Sequence, residues 1–306
     1  MIRYLKIGKE SEYGTPVDGA YAIPITSESL KLSQGFIRAR TVASRWREIS
    51  IPGPKSVGGG WKQFVNYKNV GLILKAALGG ESVSNPTSGV WLHEFSPLNS
   101  NELPSLTVRV GIDVAEKIVS GYGVDKLSFE ISPTDPLTLS VDGVGRDESI
   151  GELDQNPSFI TQGYISPADA SVKIGGIDVE VESLKLEIEN NLASDHHQLG
   201  SRLLPRVEVG ELEVRGELTV RFLSTSHLND FLDCARKKLE VRFDGEEIAD
   251  GYGYFLEFVV DSMEYDSGDA NIDRQERLVQ DLKFTAVKGD GPILLVRLQN
   301  DEESEY

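Results

Sequence analysis

Glu182-Ser183-Leu184-Lys185-Leu186-Glu187-Ile188-Glu189 alternates apolar and charged residues from Leu184 onward. A period of two puts one face on a core and the other in water, the pattern of a half-buried strand. The same pattern recurs on both sides. Val179-Glu180-Val181 alternates just upstream, and Leu212-Glu213-Val214-Arg215-Gly216-Glu217-Leu218-Thr219-Val220-Arg221-Phe222 alternates downstream. Further strands are expected at 106–110, 125–131, 137–141, 254–260, 278–287 and 293–298, with glycines and prolines as turns between them. Helical spacing is confined to 70–78 and 228–238. In the second, Leu228, Phe231, Leu232 and Ala235 share one face.

The opening stretch also has a twin. Glu28-Ser29-Leu30-Lys31-Leu32 repeats Glu182-Ser183-Leu184-Lys185-Leu186 at an offset of 154. Such an identity arises by chance in roughly one chain of this size in ten. The surroundings add to it. Ile23 and Ile25 correspond to Ile177 and Val179, and in both places the apolar positions then switch from odd to even numbers. Strict alternation changes parity only through a bulge or a bend. Further on, Ser44-Arg45 matches Ser201-Arg202, Gly53 matches Gly210 and Gly60 matches Gly216, each ahead of one helical segment. The expectation is two copies of one β-rich module with one flanking α-helix each. They would occupy 1–164 and 165–300, with the boundary near 163–167 and an acidic tail, frayed in solution, at 301–306.

The chain has 306 residues, and 31 Lys+Arg against 49 Asp+Glu leave a net charge of −18. That length suggests two domains, each able to bury a core. A surface this acidic argues against gripping a nucleic-acid backbone, which needs clustered cations, and against docking on anionic membranes. One cysteine, Cys234, cannot form an intrachain disulfide. The N-terminal residues show no signal-peptide pattern, and the most apolar run, 70–78, is too short to cross a bilayer.

Catalytic and ligand-binding constellations are missing. Gly58-Gly59-Gly60 is followed by Trp61, so it is no phosphate loop, and Gly121-Tyr122-Gly123 and Gly251-Tyr252-Gly253 read as hairpin turns. Asp195-His196-His197 reads as solvated loop, since His93 and His227 stand in unrelated contexts. Around Asp266, Asp269, Asn271 and Asp273 the glycine and the closing glutamate lie at the wrong spacing for a calcium loop. Cys234 falls beside Phe231 and Leu232 and is expected to be a small buried hydrophobe. No catalytic residue, cofactor or metal is assigned, which favours a structural or binding protein over an enzyme. The stretch 82–105 is expected to be a long loop, rich in Ser, Asn and Pro, with Trp91, Leu92 and Phe95 embedded in it. It is either an arm that docks between subunits or rings, or a loop folded back on its own domain.

Several segments, in this order and spacing, resemble the tail tube (major tail) proteins of long-tailed bacteriophages. They are Tyr4-Leu5-Lys6-Ile7-Gly8-Lys9-Glu10-Ser11-Glu12-Tyr13-Gly14-Thr15-Pro16, Glu28 to Leu32, Ser44-Arg45 to Gly53-Pro54, and the triple glycine at 58–60. Leu72-Ile73-Leu74-Lys75-Ala76-Ala77-Leu78-Gly79, Leu103-Pro104-Ser105-Leu106-Thr107-Val108 and Tyr122-Gly123 through Phe129 follow. The second copy departs from the pattern, keeping only Gly216 of the glycine cluster.

The resemblance implies tandem β-sandwich or β-barrel modules whose inner strands join those of neighbours around a channel. It implies stacked rings, with two fused modules per chain giving trimeric rings of pseudo-sixfold symmetry. Its implied partners are other copies of the chain, other tail proteins (tape measure, tail terminator and tail tip), and viral DNA that passes the lumen without specific binding. It places the chain in the virion tail, and in the host cytoplasm during assembly, with no membrane partner. An acidic wall would let DNA slide, and the candidates are Glu180, Glu187, Glu189, Glu211, Glu213 and Glu217, each of which could equally face outer solvent. The competing readings are the tube of a phage-tail-like secretion or injection particle, a non-catalytic β-sandwich that binds carbohydrate or peptide, and a hydrolase built from surface carboxylates.

Overall fold

Leu184, Leu186 and Ile188 are buried, and Lys185, Glu187 and Glu189 between them are half-buried. The strand pattern of the sequence therefore has its physical counterpart: one side packs on a core and the other meets solvent. The computed structural model describes residues 2–160, 163–268, 270–271, 278–303 and 305–306.

The elements run β1 (Arg3–Lys9), β2 (Ala22–Ile23), β3 (Ile25–Glu28), β4 (Lys31–Ala39), β5 (Ile49–Phe64) and α1 (Gly71–Leu78). They continue through β6 (Gly79–Thr87), β7 (Val90–Pro97), β8 (Leu106–Ile112), β9 (Glu116–Ser132), β10 (Asp135–Gly145) and β11 (Asp147–Gly151). After a 3-10 turn at Pro167–Asp169 come β12 (Ala170–Ile174), β13 (Ile177–Asp178), β14 (Val181–Glu189), β15 (Glu213–Arg221) and α2 (Ser226–Leu232). β16 (Lys237–Ala249), β17 (Tyr252–Ser267), β18 (Ala270–Asn271), β19 (Val279–Ala286) and β20 (Leu295–Asn300) complete the described strands. The protein is mainly β, and every described ladder between two strands is antiparallel.

Strand pairing follows one order in both halves. In the first, β2, β1, β8 and the start of β9 lie side by side, and β3/β4, β5, β10 and the end of β9 form a second layer. In the second, β13, β12, β16 and β17 correspond to the first set, and β14, β15, β19 and the end of β17 to the second. A ladder between β9 and β14, from Leu184↔Ile131 to Glu189↔Lys126, joins the two inner layers. The result is one continuous row: β3/β4, β5, β10, β9, β14, β15, β19, β17. The parity switch in the sequence has its bulges, between Ile25 and Ser27 and between Val181 and Ser183.

The core is shared. Buried side chains from Leu5 to Leu298 form one cluster, and Phe129 of β9 meets Phe258 of β17 at 4.8 Å between ring centroids. The two halves thus do not bury separate cores, as the length alone suggested. α1 is apolar nearly all round and buries Ile73, Leu74, Ala76, Ala77 and Leu78, as an interior helix does. It ends at Gly79, whose φ of 79° favours glycine.

Five expectations need correction. Residues 82–105 are no structureless loop, because β6 and β7 form a hairpin there and β7 pairs with β20. Gly121-Tyr122-Gly123 is no turn, since it lies inside the 17-residue β9. Gly121, with φ 61°, sits at a bulge where β9 leaves β8 for β10. The second helix spans Ser226–Leu232 only and buries no residue. Cys234 lies past its end at φ 50° and is exposed. Lastly, the acidic C-terminus is docked. The Tyr306 ring packs 5.0 Å from His93 and 6.1 Å from Phe95, and its backbone N–H donates to Glu81.

Candidate functional site: the concave polar face

The row of eight strands has a polar face opposite its core face, and successive ladders set its residues side by side. Lys62 of β5 lies opposite Ser140 of β10, which lies opposite Ser128 of β9. Ser128 faces Glu187 of β14, which faces Arg215 of β15, which faces Thr285 of β19. The neighbouring rung runs Thr138, Glu130, Lys185, Glu217, Lys283. The face is hollow. A depression of about 640 Å³ is lined by Lys62, Glu130, Thr138, Lys185, Glu217 and Thr219, among others, from β3, β5, β9, β10, β14 and β15.

The cations at its centre are neutralised where they stand. Lys62 is 4.0 Å from Glu130, Lys185 is 3.0 Å from Glu187, Lys126 is 3.2 Å from Glu187, and Lys283 is 3.9 Å from Glu217. Arg215 pairs with Glu213. Burial opposes ionisation of Glu187, but hydrogen bonds from Lys185 and Lys126 outweigh it and hold the carboxyl below the usual range. The Glu187 partner in turn raises the Lys185 ammonium above its ordinary value, against burial. Both groups are charged at neutral pH, and the face is a lattice of compensated charge. The paired cations at its centre hold phosphate weakly, while Lys31 of β4, exposed opposite Gly58, stands outside these pairs among the described residues.

The acidic candidates divide accordingly. Glu187, Glu189, Glu213 and Glu217 share this face. Glu180 lies just before β14 and pairs with Arg221 at 3.0 Å, and Glu211 is exposed just ahead of β15. Of the arm candidates, Trp91 and Leu92 are half-buried on β7, and Phe95 is fully buried within its own chain, beside Tyr306. Phe95 is therefore not available for docking.

A different arm, without a period-two pattern to mark it, projects from the structure. The ends of β4 and β5 run past the neighbouring strands, and residues 33–43 and 45–52 are exposed. Phe36, Ile37, Val42, Trp46, Ile49 and Ile51 are all exposed large apolar side chains of this hairpin. Arg38, Arg40, Arg45 and Arg47 stand there against Glu48 alone, in an otherwise acidic chain. That local reversal of charge beside Trp46 was the available signal.

His196 and His197 lie in the connection between β14 and β15. Among the described residues no group of three His, Cys, Asp or Glu side chains is placed to hold a metal ion. Asp266 accepts a hydrogen bond from Thr285, while Asp269 and Asp273 lie outside the described residues. No described helix is long and apolar enough to cross a membrane. A protein family described as phage tail tube protein matches residues 3–286. No curated protein matches the chain.

Proposed function

The chain belongs to the phage tail tube protein family, and from that premise we propose that three copies close into a ring whose lumen is lined by the concave polar face. The protein is a structural component of a virion tail. The observation that carries the ring reading is the continuous eight-strand row. Its two inner layers have the same pairing order and are joined by an ordinary antiparallel ladder between β9 and β14. If the layers are two copies of one module, this joint is a template for the contact between chains. β17 of one chain would then meet β3/β4 of the next, as β9 meets β14.

Open sheet edges invite pairing, and a head-to-tail contact whose rotation closes removes them. Two modules per chain give six around the ring with three chains. The compensated charge of the concave face suits a conduit for DNA, because paired cations hold phosphate weakly while the carboxylates repel it over about 8 Å at physiological salt. The chain would assemble with itself and with other tail proteins, and the reading assigns it no catalysis.

Native mass spectrometry of isolated rings tests the stoichiometry, with three chains per ring expected. Six chains per ring would overturn the trimer. A tube reconstruction with a predominantly positive lumen would overturn the conduit wall.

A further inference from the structure

The joint between the two halves has a second part besides its ladder. Just past the end of β14, Asn190 donates its backbone N–H to the Asp125 carbonyl at 2.7 Å. Its side-chain amide donates to the Ala77 and Val124 carbonyls, each at 3.0 Å. Ala77 stands in the last turn of α1, so the second half of the chain holds the end of the first half's helix.

The counterparts of these groups stand unjoined at the two ends of the eight-strand row. Leu74, Ala77 and Leu78 of α1 recur at the offset of 154 as Leu228, Phe231 and Leu232 of α2. α2 packs on β17 as α1 packs on β9. The Tyr265 hydroxyl lies 3.3 Å from His227 Nδ1, and a Cβ on Gly268, next after β17, would fall 3.0 Å from that of Phe231. Yet Leu78 is 1% exposed and its twin Leu232 is 67% exposed. At the other end of the row, the offset that takes Leu32 to Leu186 takes Phe36 to Asn190. Asn190 is buried, whereas Phe36 and its neighbour Ile37 are both exposed.

We propose that Phe36 and Ile37 of one chain cover Leu232 and the last turn of α2 in a second copy of this chain, its neighbour within the ring. The inference rests on the ring reading above and adds a helix contact to the strand pairing given there. The two surfaces lie at opposite ends of the row, so they cannot meet within one chain. Their chemistry fits the difference between the two kinds of joint. The internal joint is always closed, and Asn190 holds it with hydrogen bonds. A joint between chains must form from two solvated surfaces, and apolar side chains on both sides supply the drive. The contact is head-to-tail and three chains use up every copy of it, so it closes and does not run on from ring to ring.

The test uses the full chain with its native Cys234, two positions past Leu232, and Ile37→Cys, treated with a short bifunctional maleimide. Covalent dimers and trimers, and nothing larger, are expected. Species of four or more chains put the contact between rings and overturn the proposal. So does the absence of links in a sample that contains rings. Adding Cys234→Ser should abolish the links, and links that survive it join position 37 to itself and overturn the pairing with α2. In parallel, Leu232→Glu should cut the fraction of protein in rings at least ten-fold while the melting temperature of the single chain stays unchanged. Adding Phe36→Lys should restore the rings. Ring yield unchanged by Leu232→Glu, or a loss that Phe36→Lys does not reverse, overturns the α2 contact alone. Parent protein that forms no rings overturns the ring reading with it.

Discussion

Phe129 of β9 and Phe258 of β17 meet at 4.8 Å between ring centroids, with their planes tilted by 59°. One ring comes from each half of the chain, and both are buried. The contact makes each half a wall of the other's core. Phe258→Ala should therefore cost about 3–5 kcal/mol and lower the stability of the entire chain. Chemical denaturation followed by near- and far-ultraviolet circular dichroism should give one transition. The double variant with Phe129→Ala should fall short of additivity by about 0.5–1.5 kcal/mol. Two separate transitions, with only one moved by the substitution, would contradict a shared core.

Two glycines of β5, on either side of Gly59, have opposite tolerances. A Cβ on Gly60 would fall 1.6 Å from the Val141 carbonyl oxygen of β10, whereas one on Gly58 meets nothing within 4 Å. Gly60→Ala must push β5 and β10 apart or break the ladder, with an expected loss of more than about 3 kcal/mol and poor soluble yield. Gly58→Ala should stay within about 0.5 kcal/mol of the parent. Melting temperatures of the two purified variants check this. Equal melting points would show that the close approach of the strands is not required.

Much of this fold was legible because strand alternation is local. Leu184 to Glu189 states its own buried face, and the parity switches after Ile25 and Val179 marked bulges before any partner strand was known. What stayed hidden depends on distant partners. β7 is held by β20, some 200 residues away, so 82–105 gives little local sign of being a strand pair. Gly121 reads as a turn in the sequence because glycine marks turns and bulges alike, and only the ladder tells them apart. The polar face was legible as alternating charge, but not which charges face each other. Lys126 and Glu187 are 61 positions apart in the chain and 3.2 Å apart in space. The β4–β5 arm escaped because neither of its faces is buried in the single chain, which erases the period-two signal.

Cys234 follows α2 in a left-handed conformation, φ 50°, that a residue with a Cβ adopts at some cost. It is also exposed. The folded protein should react with one equivalent of a thiol reagent at a rate close to that of a free cysteine. Cys234→Gly should leave stability unchanged or raise it by up to about 1 kcal/mol. A thiol that reacts only after denaturant is added would restore the buried reading of this residue.

The docked C-terminus sets a pH dependence. The Glu81 side chain is fully buried, with His93 Nδ1 at 2.9 Å, the Lys75 ammonium at 3.4 Å and the Tyr306 N–H donating at 3.2 Å. Burial alone would raise its pKa. The His93 hydrogen bond, the Tyr306 amide and Lys75 together outweigh burial and hold the carboxyl below its usual value. A carboxyl depressed in the folded state stabilises fully above its unfolded pKa, about 4.3, and loses that contribution as pH falls through the lower folded value. Glu81→Gln should thus be destabilising at pH 7, and the gap to the parent should narrow below about pH 4. Removing residues 301–306 strips Tyr306 from His93 and Phe95, and should cost about 2 kcal/mol or more. Parallel melts from pH 3 to 7 decide both points. A gap between parent and Glu81→Gln that widens toward low pH, or a truncated chain that melts with the parent, would mean the terminus is not held by this carboxylate.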